Sequence, residues 1–328
     1  MTEVSYLGFF MRIVTMRKLF VPTFVFLILA ALLISPARYF ASVQKGVLLF
    51  SSSVLPSMLP YFFFTKVLTA TGCVTALAGT LGKPIGRFYR TDPIAAYPLL
   101  MSLLSGYPVG ARVLADVYEK GLVCKEDAAR AASFCSTSGS MFVLGSVGAV
   151  ILKDAGAGAV ILAAHYLGAV LNGLFYRGKK RERAALTLPP LQTSDALLSE
   201  AMYESVLSLA LVGGFIAITN LLGDVTFDLL AKAGAGGALD HTTLGAFFYS
   251  IFEVTRGCVE FSLLGVKRVW TAAFCCFAVS FGGLSVLLQS IAFLGKTGLK
   301  FSKFLLMKLT QAALSFALCL PLGYLFLN

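Results

Sequence analysis

"LLMSLLSGYPVGARVLADVY", Leu99 to Tyr118, opens as a membrane helix would and then places Gly106, Pro108 and Gly110 in its middle. Glycine loosens a helix and proline removes a backbone donor, so the run marks a break in apolar surroundings. The apolar or small residues before it, Pro93 to Leu104, make only about 18 Å of helix, little more than half the hydrocarbon thickness. Lys83, Arg87 and Arg90 precede this stretch, and Lys120, Lys125 and Arg130 follow it. Basic loops collect on the cytoplasmic side of a membrane. A segment too short to cross, with cytoplasmic charge on both flanks, predicts a re-entrant helical hairpin with SGYPVG, Ser105 to Gly110, at its tip.

The composition points the same way. Of the 328 residues, 58% are hydrophobic and only 13% charged, with a mean hydropathy of +0.84. A soluble chain carries about twice that charged fraction. The expectation is an all-α polytopic membrane protein whose partner is the lipid bilayer. The net charge of +11 sits mostly in short loops between apolar windows, where it sets topology; no aromatic-basic interleaving suggests nucleic acid. The densest run, RGKKRER at Arg177 to Arg183, reads as a cytoplasmic anchor. The seven cysteines lack CxxC spacing and lie mostly in apolar windows, which suits packing better than metal or disulfide roles. The N-terminal window, Lys18 to Ser35, is long and lacks a small-x-small cleavage site, so it reads as a retained first helix.

Walking outward from the hairpin gives a plan. Arg12, Arg17 and Lys18 keep the N-terminus inside, and a second span, Gly46 to Gly72, returns with kinks expected at Pro56 and Pro60. After the hairpin, Ala131 to Leu152 crosses outward and Gly156 to Tyr176 crosses back. The second half repeats this. Leu198 to Leu222 crosses, Thr243 to Leu264 is interrupted by EVTRGC at Glu253 to Cys258, and Val269 to Leu294 and Phe304 to Leu327 cross again. "AASFCSTSGSMFVLGSV" (Ala131 to Val147) and "AAFCCFAVSFGGLSVLL" (Ala272 to Leu288) occupy equivalent places. An odd number of crossings separates the halves. The predicted fold is therefore an inverted repeat of two units, each with a re-entrant hairpin and interrupted helices. Its segments are a first helix and flank (1–45), a first repeat (46–176), a basic linker (177–197) and a second repeat (198–328).

Hairpin tips free backbone groups for a ligand: N–H groups at helix starts favour anions and loose carbonyls favour cations. Ser105, Gly106, Tyr107, Pro108 and Gly110 are thus candidate solute-binding residues. Ser136, Thr137, Ser138 and Gly139, with Ser140, form a polar run inside an apolar window. They either glue helices together or form an unwound, hydroxyl-lined segment facing the tip. Ser280, Gly282, Gly283, Ser285 and Gln289 are their counterparts in the second half. At the second tip stand Glu253, Thr255, Arg256 and Gly257. Ionisable residues inside a membrane segment are expensive and point to function. Glu253 and Arg256 lie three apart and either pair on a helix, or Arg256 faces an anionic solute while Glu253 serves a coupling cation or proton. Glu260 and Arg112 are weaker candidates. His165 and Asn172, seven apart on one helix face, read as hydrogen-bonded packing residues ahead of a proton relay. There is no Walker loop, HExxH, GxSxG or Cys-His ligand set, so neither an ATP-driven pump nor an enzyme is signalled, and no metal or cofactor is expected. A coupling Na+ or H+ and a homo-oligomer are left open.

Taken together, SGYPVGAR (Ser105 to Arg112), SFC…FVLGSVG (Ser133 to Gly148), AHYLG (Ala164 to Gly168), EVTRG (Glu253 to Gly257) and FGGLSVLLQ (Phe281 to Gln289) carry a resemblance. From Gly46 to the C-terminus the chain resembles the sporulation integral membrane proteins of the YlbJ (stage V sporulation, SpoVV) type. These carry a nucleoside-recognition Gate domain similar to the core of concentrative nucleoside transporters. The resemblance implies a transporter for a small anionic or aromatic solute. It implies dipicolinic acid, moved from the mother cell across the outer forespore membrane, ahead of a nucleoside-like solute or a non-transporting scaffold. The chain departs from the family's usual pattern where Ser136 to Ser140 replaces an Asn-rich stretch and where Arg256 replaces an Asn at the second tip.

Overall fold

The computed structural model describes residues 22–178 and 196–328, and all regular elements among them are helical. Prolines and glycines set many of the boundaries. Helix α1 (Pro22–Ile34) bends at Ser35 and passes straight into α2 (Pro36–Ala70). The helical bonding continues through the bend, since Ser35 N–H reaches Ala31 O and Tyr39 N–H reaches Ser35 O. Pro56 cannot donate to the preceding turn, and a π-helical turn at Phe50–Val54 lies just ahead of it. The sequence reading began this span at Gly46; the helix instead starts ten residues earlier. The polar residues there have partners far along the chain. Arg38 and Tyr39 bond Asp228, and Ser42 bonds Asp224 at 2.5 Å.

The stretch expected to be a cytoplasmic loop is an amphipathic helix, α3 (Cys73–Tyr89). Its apolar face is buried through Val74 and Ala78, while its lysine and arginines made it look like a loop. The hairpin follows as α4 (Ala96–Ser105) and α5 (Val109–Glu119). The stretch expected as the next crossing holds the charged α6 (Lys125–Ala131) and the short apolar α7 (Phe142–Ile151), and α8 (Ala155–Phe175) follows. The second half runs α9 (Leu197–Lys232), the short α10 (Gly236–Leu239), and a second hairpin of α11 (Thr243–Phe252) and α12 (Val254–Ser262). A split crossing, α13 (Arg268–Phe281) and α14 (Gly283–Leu294), leads to α15 (Phe301–Phe326). Among the described residues, five helical stretches are long and apolar enough to cross a membrane. The chain is a multi-pass integral membrane protein.

Helices α8, α13 and α15 pack on one another at the centre. Small residues bring them close: a Cβ on Gly168 would strike Ser315, and one on Gly323 would meet Val269. The ends of α8 show how the hairpins are rooted. Just past its C-terminus, Arg177 donates to Arg87 O, and Arg130 donates to Arg90 O across the base of the first hairpin. At its N-terminus, Asp154 pairs with Arg268, six residues after α12. The two hairpins therefore start from opposite ends of the bundle. Arg87, Arg90, Arg130 and Arg177 meet at the first end, and Lys296 pairs with Glu119 at the end of the first hairpin. Arg12, Arg17 and Lys18, and the RGKKRER run beyond Gly178, lie outside the described residues.

Candidate functional site

The first tip is a backbone-to-backbone contact. Gly106 has φ +75° and ψ −154°, a conformation that is essentially glycine's alone. A Cβ there would sit 2.3 Å from Gly139 N. A Cβ on Gly110 would sit 2.3 Å from Cys135 O. Both glycines let the tip dock on the stretch between α6 and α7, where Ser136 to Gly139 have no helical structure.

Unwound backbone at membrane depth needs partners from elsewhere. Here they are side chains. Ser102 Oγ accepts from Thr137 N–H at 2.8 Å, and the two hydroxyls are also 2.8 Å apart. Ser138 N–H donates to His165 Nε2 at 2.9 Å. Asn172 Nδ2 donates to Ser133 O at 2.7 Å, and Lys308 Nζ donates to Ser136 O at 2.8 Å. A backbone N–H can only donate, so His165 Nε2 is the acceptor nitrogen. A neutral ring then carries its proton on Nδ1, aimed at Ser280 Oγ 2.7 Å away. His165 thus ties the first break to the end of α13, beside the second break.

The second tip closes on itself. Glu253 takes an extended conformation between α11 and α12 and caps α12. Its carboxylate accepts from Arg256 N–H at 2.7 Å and from the Thr255 hydroxyl at 3.1 Å. The matching break is Gly282 (φ +86°), and Gly283 (φ +67°) opens α14 just after it. A Cβ on Gly283 would lie 2.9 Å from Ser250 O and 3.3 Å from Glu253 N, so this tip rests on that glycine. Gly257 lets the hairpin arms approach, with Ser250 in its path.

Between the tips lies a cavity of about 480 Å³, its open side included. Tyr107, Ser138 and Gly139 border it from one half, and Glu253, Thr255, Ser285 and Gln289 from the other. Aliphatic and aromatic side chains of α2, α7, α9, α13 and α14 make up most of the remaining wall, among them Val54, Phe142, Ile216, Val279 and Val286. The enclosed part of the cavity has room for only a few waters. Of the other sequence-selected residues, Ser105, Gly106, Pro108, Gly110, Ser136, Thr137, Gly257, Ser280, Gly282 and Gly283 do not border this cavity; those described above build or brace the tips and breaks.

Arg256 lies apart from the cavity residues. It does not border the cavity, nor does its guanidinium pair with Glu253. It bonds Asp224 at 2.7 Å and Asn220 Oδ1 at 2.8 Å, and lies over the Tyr249 ring at 3.6 Å. The reason is the length of α9. The expected crossing ended at Leu222, but the helix continues to Lys232 and carries Asp224 and Asp228 alongside the second hairpin. Glu260 is drawn into the same group, 3.6 Å from Arg256 Nε.

One residue at the site escaped the sequence reading. Lys308 on α15 is 1% exposed, and its ammonium also reaches Tyr107 Oη at 2.7 Å and Gln311 Oε1 at 2.9 Å. The signal was a lysine well inside an apolar window, which is costly unless it has a use.

No protein-family model and no solved structure matches the chain. Among curated proteins it is similar to the sporulation integral membrane protein YlbJ of Bacillus subtilis (strain 168), with 28% identity over 333 residues. The match covers 92% of this chain and 81% of that protein.

Proposed function

We propose that this chain, a YlbJ-type sporulation membrane protein by its likeness over nearly its whole length, is a secondary permease for a small anionic or aromatic solute. The observation that carries the reading is that two hairpin tips, rooted at opposite ends of the bundle, border a single cavity beside two helix breaks. Broken helices that meet around one pocket are how secondary carriers hold a solute at mid-depth. A wall of aliphatic side chains with a few hydroxyl, amide and carboxylate groups suits a flat apolar body with polar edges. Dipicolinic acid has that shape and is the first candidate, moved across the outer forespore membrane; a nucleoside-like solute is the second. In the present conformation the cavity is too narrow for either. Transport then requires one unit to rock against the other, with the Gly106–Gly139 contact at the first tip and the Gly283 contact at the second as the sliding surfaces.

The test is uptake of labelled dipicolinate into proteoliposomes. Wild-type protein is expected to accumulate it, and Ser138→Leu combined with Ser285→Leu, which fills the cavity from both halves, is expected to reduce uptake to background. Thermal unfolding shows whether the double variant still folds. Undiminished uptake by the folded double variant would remove the cavity from the transport path.

A further inference from the structure

We infer that Lys308, together with Ser136 and Gln311, is the subsite that recognises a carboxylate of the solute, and that Tyr107 covers it in this conformation. The inference rests on the permease reading above and sharpens it: recognition of acid groups belongs to the first hairpin's surroundings, and Arg256 has no part in it.

Three observations converge. The first is a charge without a counter-charge. The Lys308 ammonium is enclosed by a phenol, a backbone carbonyl and an amide carbonyl, all neutral. Among the described residues no carboxylate lies within ion-pair distance of it, whereas Arg256 has Asp224 at 2.7 Å. A buried cation is tolerated when an anion or strong acceptors compensate it. Neutral acceptors do so only in part.

The second is a pair of unused donors in the same cluster. The Ser136 hydroxyl and the Gln311 amide nitrogen are both buried and have no hydrogen-bond partner. They belong to the same two residues whose carbonyls hold the ammonium. An ammonium, a hydroxyl and an N–H group with spare capacity form a donor set, and its complement is an acceptor-only group with several lone pairs. A carboxylate is that group.

The third is the position of Tyr107. Its ring borders the cavity, and its hydroxyl accepts from Lys308 while donating toward Val279 O at 3.4 Å. The phenol thus separates the solute space from the ammonium. It sits on the tip next to Gly106, so a shift of the tip carries it away and exposes the ammonium. An arriving carboxylate oxygen takes the place of the phenol oxygen on Lys308, and the spare donors of Ser136 and Gln311 serve the rest of the group.

A purely structural lysine would not discriminate charge in the solute, and the test uses that. Uptake by proteoliposomes is measured for pyridine-2,6-dicarboxylate and for the uncharged pyridine-2,6-dicarboxamide of the same outline. Wild-type protein is expected to favour the acid by about ten- to a hundredfold, the range of one charge-assisted hydrogen bond. Lys308→Met is expected to abolish that preference by lowering uptake of the acid alone, and Lys308→Arg to keep part of it. Equal loss of both solutes in folded Lys308→Met, or acid uptake at the wild-type level, overturns the assignment. If Lys308→Met does not fold, Ser136→Ala with Gln311→Leu decides: a reduced acid preference supports the subsite and an unchanged one overturns it. Wild-type protein that takes both solutes alike overturns the subsite but leaves a permease. Wild-type protein that takes neither overturns the permease reading itself.

Discussion

The two hairpins end a helix at depth in opposite ways. The first keeps its glycine in the tip, Gly106, and docks on an unwound stretch whose backbone is held by side chains from α4, α8 and α15: Ser102, His165, Asn172 and Lys308. The second rests on a glycine at the edge of the break, Gly283, and its tip residue Glu253 satisfies the start of its own helix. The first hairpin thus depends on its neighbours, whereas the second carries its cap with it. Substitutions on α8 and α15 should therefore disturb the first tip before the second.

The largest expected effect tests the glycine in the first tip. Gly106 and Gly121 both have positive φ, +75° and +70°, but a Cβ on Gly121 would meet nothing within 4 Å. Gly106→Ala combines backbone strain with a clash against the Gly139 backbone and should cost about 3 kcal/mol or more. Gly121→Ala brings only the left-handed backbone and should cost about 1 kcal/mol. Unfolding of the two variants in matched nanodiscs measures the difference. Similar losses would mean that the tip is not docked on the first break.

The next effect concerns the charges around the second hairpin. Asp224→Asn leaves the Arg256 guanidinium, only 6% exposed, without its closest anion. Removing one partner of a buried pair is strongly destabilising; Asp224 is partly exposed, so about 2–3 kcal/mol is expected. Arg38 pairs with Asp228 through two nitrogens, but its side chain is 57% exposed. Arg38→Gln should cost at most about 1 kcal/mol. Denaturant unfolding of both variants ranks them. An equal ranking would show that burial does not set the strength of this network.

These ion pairs also mark where the sequence stopped being legible. The first hairpin could be read because a glycine–proline break, a short apolar arm and basic flanks are all local. The end of α9 could not. Asp224 and Asp228 lower the hydropathy as a loop would, and only their partners Arg38 and Arg256, far away in sequence, make them tolerable inside a helix. Helix α3 was hidden for a similar reason, since Lys83 and Arg87 lie on the exposed side of a helix whose other face is buried. The residue types at the tips and breaks were legible, and seven of those selected residues border the cavity. The direction in which Arg256 points was not, because Asp224 decides it. Lys308 was visible as a charge inside α15, five residues past Lys303, but its contacts with Tyr107 and Ser136 exist only once the first tip is folded.

The smallest effect separates two roles for Glu253. If its work is to cap α12, Glu253→Gln should be mild, because the amide oxygen can still accept from Arg256 N–H and the amide nitrogen can donate to the Thr255 hydroxyl turned to accept. Replacing a charge-assisted bond by a neutral one costs about 1 kcal/mol. Dipicolinate uptake by the variant should then stay close to wild type, measured in proteoliposomes at matched protein content. If the carboxylate instead serves a coupling cation or proton, as its place inside a membrane segment first suggested, the amide cannot replace it. Uptake would then fall to background while unfolding shifts by the same small amount. The self-contained geometry of the second tip favours the first outcome, since both oxygens of Glu253 are engaged at the start of its own helix. A folded but inactive Glu253→Gln would mean that the second tip, and not only the first, handles charge during transport.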